Sequence, residues 1–274
     1  MSQPSAGRTT PRPSAPIAVA RLVVMLVILE FSPCGWSSAL PTWAGPPVVE
    51  EPAQAPLPRE PARPDRHPEL KRLSPKEDVW IDVVNKRVVV GAKVVLDKGL
   101  IEVFACPEHS KEHEAVVATH STARLVHTAL LAIGLEPGRP VSFDPEYAAA
   151  QGPIVKITMR WKDDTGKVRE SQAQEWIRDT TTQKPLQADW VFAGSSFWRD
   201  PSDGTDYYQA DGGDLICVSN FPTATLDLPI ESSQSNEALM FEAFPGRVPP
   251  NGTEVEMILS AALAEKAPAL REAP

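Results

Sequence analysis

The stretch Val79-Trp80-Ile81-Asp82-Val83-Val84-Asn85-Lys86-Arg87-Val88-Val89-Val90-Gly91-Ala92-Lys93-Val94-Val95-Leu96 decides the fold. Two β-branched runs flank the turn pair Asn85-Lys86, so a folded domain placed at 77–263 opens as a pair of strands. Further along, Val155, Ile157, Met159 and Trp161 alternate with Lys156, Thr158, Arg160 and Lys162 before Asp163-Asp164-Thr165-Gly166, the pattern of a half-buried strand running into a hairpin. Shorter strands are expected around Trp190, Tyr207, Leu215 and Glu254. One helix is expected over 122–133, with Ser121 as N-cap, Val126, Ala129, Leu130 and Ile133 on one face, and Gly134 as the stop. A weaker helical candidate begins near Ser233 and takes in Asn236 and Leu239. The expected class is α+β: mostly antiparallel strands in a sandwich-like sheet with one main helix packed on it.

Upstream of this domain the composition changes. Arg8, Arg12 and Arg21 precede the apolar run Leu22-Val23-Val24-Met25-Leu26-Val27-Ile28-Leu29, and Ser37-Ser38-Ala39 follows, which is the order of a secretory signal peptide over 1–40. Ala39 and Ala44 both suit cleavage, and Cys34 would serve a lipid anchor, although Phe31-Ser32-Pro33 is a poor approach to one. The apolar run is shorter than the ~20 residues of a spanning helix. Residues 41–76 are proline-rich and form the expected tether, and 264–274 a disordered tail. The expected location is outside the cytoplasm, in the periplasm or cell envelope, with membrane attachment only through an uncleaved or lipidated N-terminus.

A net charge of -9 argues against a nucleic-acid partner, because phosphate contacts need a basic face and the sequence shows none. There is no phosphate loop, dinucleotide fingerprint or C-x-x-C, so nucleotide chemistry has no support. Cys106 and Cys217 are the pair left for a disulfide if the signal is removed with Cys34; the alternative is two buried thiols.

Four of the five histidines fall between His109 and His127, beside Cys106, Glu112 and Glu114. On a strand His109 and His113 would lie ~13 Å apart, too far to share one ion. With residues 112–119 as strand, His113 points inward with Ala115 and Val117, where it can meet His127 from the helix. His113 and His127 are therefore the candidate transition-metal ligands, against the plainer reading of two satisfied core histidines. His120 precedes a helix N-terminus, whose dipole disfavours an imidazolium. The cluster Asp200, Asp203, Asp206, Asp211 and Asp214 misses the register of a calcium loop and fits two tight turns better. Ser195 lacks the second glycine of a nucleophile elbow and belongs to a turn. Trp198, Tyr207 and Tyr208 either face a glycan or protein partner or fill the core.

Several blocks, among them Phe104-Ala105-Cys106-Pro107, Lys111-Glu112-His113-Glu114, Leu125-Val126-His127-Thr128, Trp190-Val191-Phe192-Ala193-Gly194-Ser195 and Ala210-Asp211-Gly212-Gly213-Asp214, resemble the YdjY-domain family of exported bacterial proteins. The resemblance spans roughly 79–259 and implies a β-rich fold but no activity. Members described as ferredoxin-like carry extra cysteines; three cysteines cannot supply a four-cysteine cluster, so no iron-sulfur centre is expected. The blocks single out Glu114, Ser195, Asp211 and Asp214 as candidate binding residues beside His113 and His127. The expected function is a non-catalytic binding or structural module that takes an envelope protein or glycan. The alternative is a metal-binding protein or metal-dependent enzyme around His113 and His127.

Overall fold

The computed structural model describes residues 62–233 and 239–262. The expected signal segment, the tether up to residue 61, Cys34, the core of the weaker helical candidate and the tail lie outside the described residues. In chain order the elements are β1 (Lys71–Arg72), β2 (Val79–Asp82), β3 (Arg87–Val94), β4 (Gly99–Leu100), β5 (Val103–Pro107) and β6 (Ala115–Thr119). The helix α1 (Ala123–Ala132) follows, then β7 (Ile154–Lys162), β8 (Val168–Gln172), β9 (Ile177–Asp179), β10 (Trp190–Phe192) and β11 (Phe197–Arg199). The chain closes with β12 (Asp206–Tyr208), β13 (Ile216–Cys217), β14 (Leu226–Asp227), β15 (Phe241–Ala243) and β16 (Glu254–Ala261).

The fold is mostly β and its sheet is a closed barrel, which corrects the expected α+β class of a sandwich-like sheet with a main helix; the one α-helix among the described residues is short. Strands run β3-β16-β7-β10-β14-β13-β5-β6, and β6 pairs back onto β3, which closes an eight-stranded ring. The pairs β5–β6 and β13–β14 are parallel and the rest antiparallel. Closure depends on β3 sharing one edge between two partners: residues 87–90 pair with β2 and residues 92–94 with β6. Gly91 is the hand-over. Its N–H donates to the Asp78 carbonyl at 2.8 Å, and its carbonyl accepts from the His120 N–H at 3.0 Å. A Cβ at Gly91 would lie 2.8 Å from Asp78 Cβ, so the approach of β2 and β6 at this corner requires glycine.

The interior is filled by Val88, Val90, Ala92 and Val94 of β3, Val155, Ile157 and Met159 of β7, and Val255, Met257 and Leu259 of β16, around Phe104, Trp176 and Trp190. These are alternate residues of each strand, as one-sided burial requires. The opening stretch lacks clean alternation because its outer face is covered too: Trp80, Val89 and Ile258 form a second buried cluster under Leu70. Helix α1 is ten residues long and packs on β2, β3 and the turn 209–212 through Ala123, Val126, Ala129 and Leu130. Its N-cap is Thr122, whose Oγ1 accepts the Leu125 N–H, one residue later than the expected Ser121. Two small sheets sit off the barrel, β4-β15-β9 and the hairpin β11–β12.

Residues 62–76, which proline content assigns to the tether, pack on the barrel as a strap. Asp78 is 1 % exposed and is held by Arg66 at 2.6 Å, Arg72 at 3.0 Å and Arg63 at 3.1 Å. Trp80 Nε1 donates to Asp65 at 2.8 Å, and His67 stacks edge-on against Trp80 while its Nε2 meets Glu256 at 2.8 Å. A buried carboxylate requires such partners, so the arginines bring the strap down with them.

Candidate functional site

Three loops meet beside α1: 193–196 after β10, 209–215 after β12, and 221–225 before β14. Thr223 joins them. Its Oγ1 donates to Asp214 Oδ2 at 2.5 Å and its carbonyl accepts the Ser195 hydroxyl at 2.6 Å. Ser195 holds φ 55 and follows Gly194 at φ 99, so it is a turn residue whose hydroxyl hydrogen is committed to a carbonyl.

On the Asp214 side, the lysine of the Lys111-Glu112-His113-Glu114 block reaches in. Lys111 Nζ lies 3.1 Å from Asp214, 3.2 Å from Glu114, 3.9 Å from Glu102 and 4.6 Å from the Phe221 ring centroid. Burial disfavours the ammonium, but Asp214 and Glu114 outweigh it and hold the Lys111 pKa above the ordinary value. Glu102 is shifted up by burial and by the neighbouring Glu114. Gly213, at φ 135, keeps the Lys111 stem clear of any side chain.

On the other side, the Tyr208 hydroxyl lies 2.8 Å from His127 Nδ1, 2.9 Å from Thr225 Oγ1 and 3.1 Å from the Gly194 carbonyl. Burial raises the Tyr208 pKa to about 12. His127 packs edge-on against Phe192 and Tyr208, and burial lowers its pKa against the opposing effect of the Gly194 backbone. The adjoining Asp211 caps α1, accepting the Arg124 N–H at 3.0 Å, while Glu77 accepts the Thr122 N–H at 2.8 Å.

Glu114, Ser195, Asp211, Asp214 and His127 thus gather around these loops, and His113 does not. Residues Glu112–Glu114 are a 3₁₀ turn, because the Glu112 carboxylate accepts the His109 N–H at 2.6 Å and closes the segment before β6 begins. His113 is 78 % exposed, with Glu114 at 3.8 Å, rather than inward on a strand. The two histidines expected to share a metal have separate surroundings, and among the described residues no group of three or more His, Cys, Asp or Glu is placed to hold an ion. His120 sits between Glu108 at 2.9 Å and Glu254 at 3.3 Å, so two carboxylates and not the helix dipole dominate its surroundings. Asp200 and Asp203 accept bonds from Ser202 and Thr205 within their own turn. Cys106 and Cys217 are free thiols in one buried cluster, Cys106 shifted up to about 11 by burial and Cys217 well above its ordinary value for the same reason.

The hairpin β11–β12 separates the aromatics. Tyr208 is buried, whereas Trp198 and Tyr207 face each other across the strands, 48 % and 49 % exposed, with ring centroids 5.8 Å apart and planes 34° apart. A groove of about 590 Å³ beside them is lined by Trp198, Tyr207, Tyr208, Gln209, Asp211 and Thr223.

A family profile described as YdjY domain matches residues 79–260. The chain belongs to the YdjY domain family. The match begins at β2 and ends within β16, so it covers the whole barrel and both sides of the loop cluster. No curated protein and no solved structure matches this YdjY chain.

Lys111, Thr223 and Thr225 are the site residues that residue-type reasoning passed over, and Tyr208, named there as a partner or core aromatic, was not linked to His127. For Lys111 the only local signal was Glu114 three residues on; Glu102 and Asp214 are its partners through the fold alone.

Proposed function

We propose that this YdjY protein is an exported, envelope-associated binding module that holds a glycan on the β11–β12 hairpin and performs no catalytic step of its own. The observation that carries this reading is the exposed Trp198–Tyr207 pair beside a groove bearing Gln209 and Asp211. Flat aromatic faces cover the apolar face of a sugar ring while nearby polar side chains take its hydroxyls. The loop cluster behind the hairpin supports a non-catalytic role. Lys111 is held charged, the Ser195 hydroxyl is bonded to a carbonyl, and both thiols are buried with raised pKa, so none has the character of an activated nucleophile. Export rests on the arginine-apolar-small order of residues 1–40.

Tryptophan fluorescence titration with β-1,4-linked N-acetylglucosamine oligomers tests the reading. Saturable binding that disappears in a Trp198→Ala, Tyr207→Ala double variant is the expected result. Absence of binding by the native protein, or the same affinity in the double variant, would overturn it.

A further inference from the structure

We infer that the hairpin groove selects amine-bearing sugars over N-acylated or anionic ones, an inference that rests on the glycan reading above and adds the ligand's charge to it. Among the described residues, the only charged side chain lining the groove is Asp211; no lysine, arginine or histidine lines it. Asp211 Oδ1 is engaged by the Arg124 N–H at 3.0 Å, whereas Oδ2 comes no nearer to the Arg124 guanidinium than 4.0 Å, so this oxygen keeps acceptor capacity toward the groove. Thr223 Oγ1 is committed to Asp214, and Gln209 Oε1 accepts from Ser196, which leaves the Gln209 amide hydrogens, the Tyr207 hydroxyl and the Asp211 carboxylate as the groove's polar groups.

The surroundings carry the same sign. The hairpin carries Asp200, Asp203 and Asp206 against Arg199 alone, and Arg199 is already engaged with Asp206 at 3.5 Å and the Gly204 carbonyl at 3.1 Å. A uronate or phosphate group in the groove would meet the Asp211 carboxylate with no lysine, arginine or histidine in the lining to pair with it. An ammonium would meet Asp211 and the faces of two half-exposed aromatic rings, both of which attract positive charge. An N-acetyl group keeps the hydrogen bond but forgoes both charge terms.

The test compares a β-1,4-linked glucosamine oligomer with its N-acetylated counterpart of equal length, at mildly acidic pH where the amines are protonated, by fluorescence titration of the full chain. The amine form is expected to bind about fivefold more tightly, the size of an exposed cation–π contact with a screened ion pair. This preference, read as the ratio of the two affinities, should collapse in Asp211→Asn and in high salt. Asparagine still accepts the Arg124 N–H, so the helix cap survives the substitution. Equal or weaker binding of the amine form, with N-acetyl binding intact, would overturn amine selection and leave the aromatic platform standing. A preference undiminished in Asp211→Asn would overturn the role of this carboxylate. Binding of neither oligomer would remove the glycan reading along with it.

Discussion

Replacing Asp227 by asparagine should change how the stability of the barrel depends on pH. Asp227 lies in β14 opposite Val191 and is 0 % exposed. Its Oδ1 accepts the Leu228 N–H at 2.7 Å and the Asn220 amide at 3.3 Å, while Oδ2 is buried without a hydrogen-bond partner. Burial, only partly offset by those bonds, pushes its pKa from 3.8 to about 7. The folded chain therefore keeps a proton that the unfolded chain releases. Stability from this group is fully present below 3.8, declines as pH rises, and reaches its lower plateau above about 7. The gap amounts to about 4 kcal/mol between the two plateaus, at 1.36 kcal/mol per pH unit.

The amide that Asp227→Asn introduces does not titrate. Its buried hydrogens add a constant cost of about 1–3 kcal/mol, which shifts the curve without tilting it. Urea unfolding followed by tryptophan fluorescence at a series of pH values should show the difference, variant minus native, rising in the variant's favour by about 4 kcal/mol from acid to mildly alkaline solution. All other titrating groups are common to both proteins and cancel in the difference. A difference that stays constant across the series would refute the protonated, buried Asp227.

Two further substitutions probe the ionic clusters. Lys111→Met leaves Glu102, Glu114 and Asp214 facing one another without a cation, with an expected loss of about 3–5 kcal/mol near neutral pH. Protonating these carboxylates relieves their repulsion, so the loss should shrink as the solution is acidified; equal unfolding midpoint shifts at acid and neutral pH would contradict this. Gly91→Ala places a methyl group 2.8 Å from Asp78 Cβ and 3.2 Å from Arg66 Nη2, which should cost about 1–3 kcal/mol and loosen the strap. Limited proteolysis should then cut within residues 62–76 faster than in the native protein, and unchanged cleavage would show that the corner tolerates the methyl.

Much of the β framework was legible from local pattern. The period-two alternation of β7, the Asp163–Gly166 hairpin, the β-branched runs of β2 and β3 and the glycine stop of α1 all depend on residues close in sequence. Closure was not legible, because the same one-sided strands satisfy a sandwich or a barrel, and the choice is made where Gly91 lets one edge of β3 serve two partners. The strap was illegible for a related reason. Arg63, Arg66 and Arg72 stand among prolines and resemble a solvated spacer until Asp78 is known to be buried beneath them. At the site, His113 was misplaced because Glu112 forms a turn with a backbone N–H that strand alternation ignores.

The hairpin shows how the barrel gives an aromatic platform its rigidity. Tyr207 and Tyr208 are adjacent on a strand and so point to opposite faces. Tyr208 is anchored by its hydroxyl between His127, Thr225 and Gly194 and by its ring against His127 and Phe197. That anchor fixes the backbone of β12, and Tyr207 inherits a fixed orientation toward Trp198 on the exposed face. A ligand on this face would meet side chains already ordered by contacts on the other, which lowers the entropic cost of binding. The anchoring histidine belongs to α1, whose first turn is capped by Asp211 from the groove itself, so helix, hairpin and groove are positioned by one set of hydrogen bonds. Tyr208→Phe removes the shared hydroxyl while keeping the ring, and should therefore weaken glycan binding in the fluorescence titration without changing any residue exposed on the platform; unchanged affinity would show that the platform's order does not depend on this anchor.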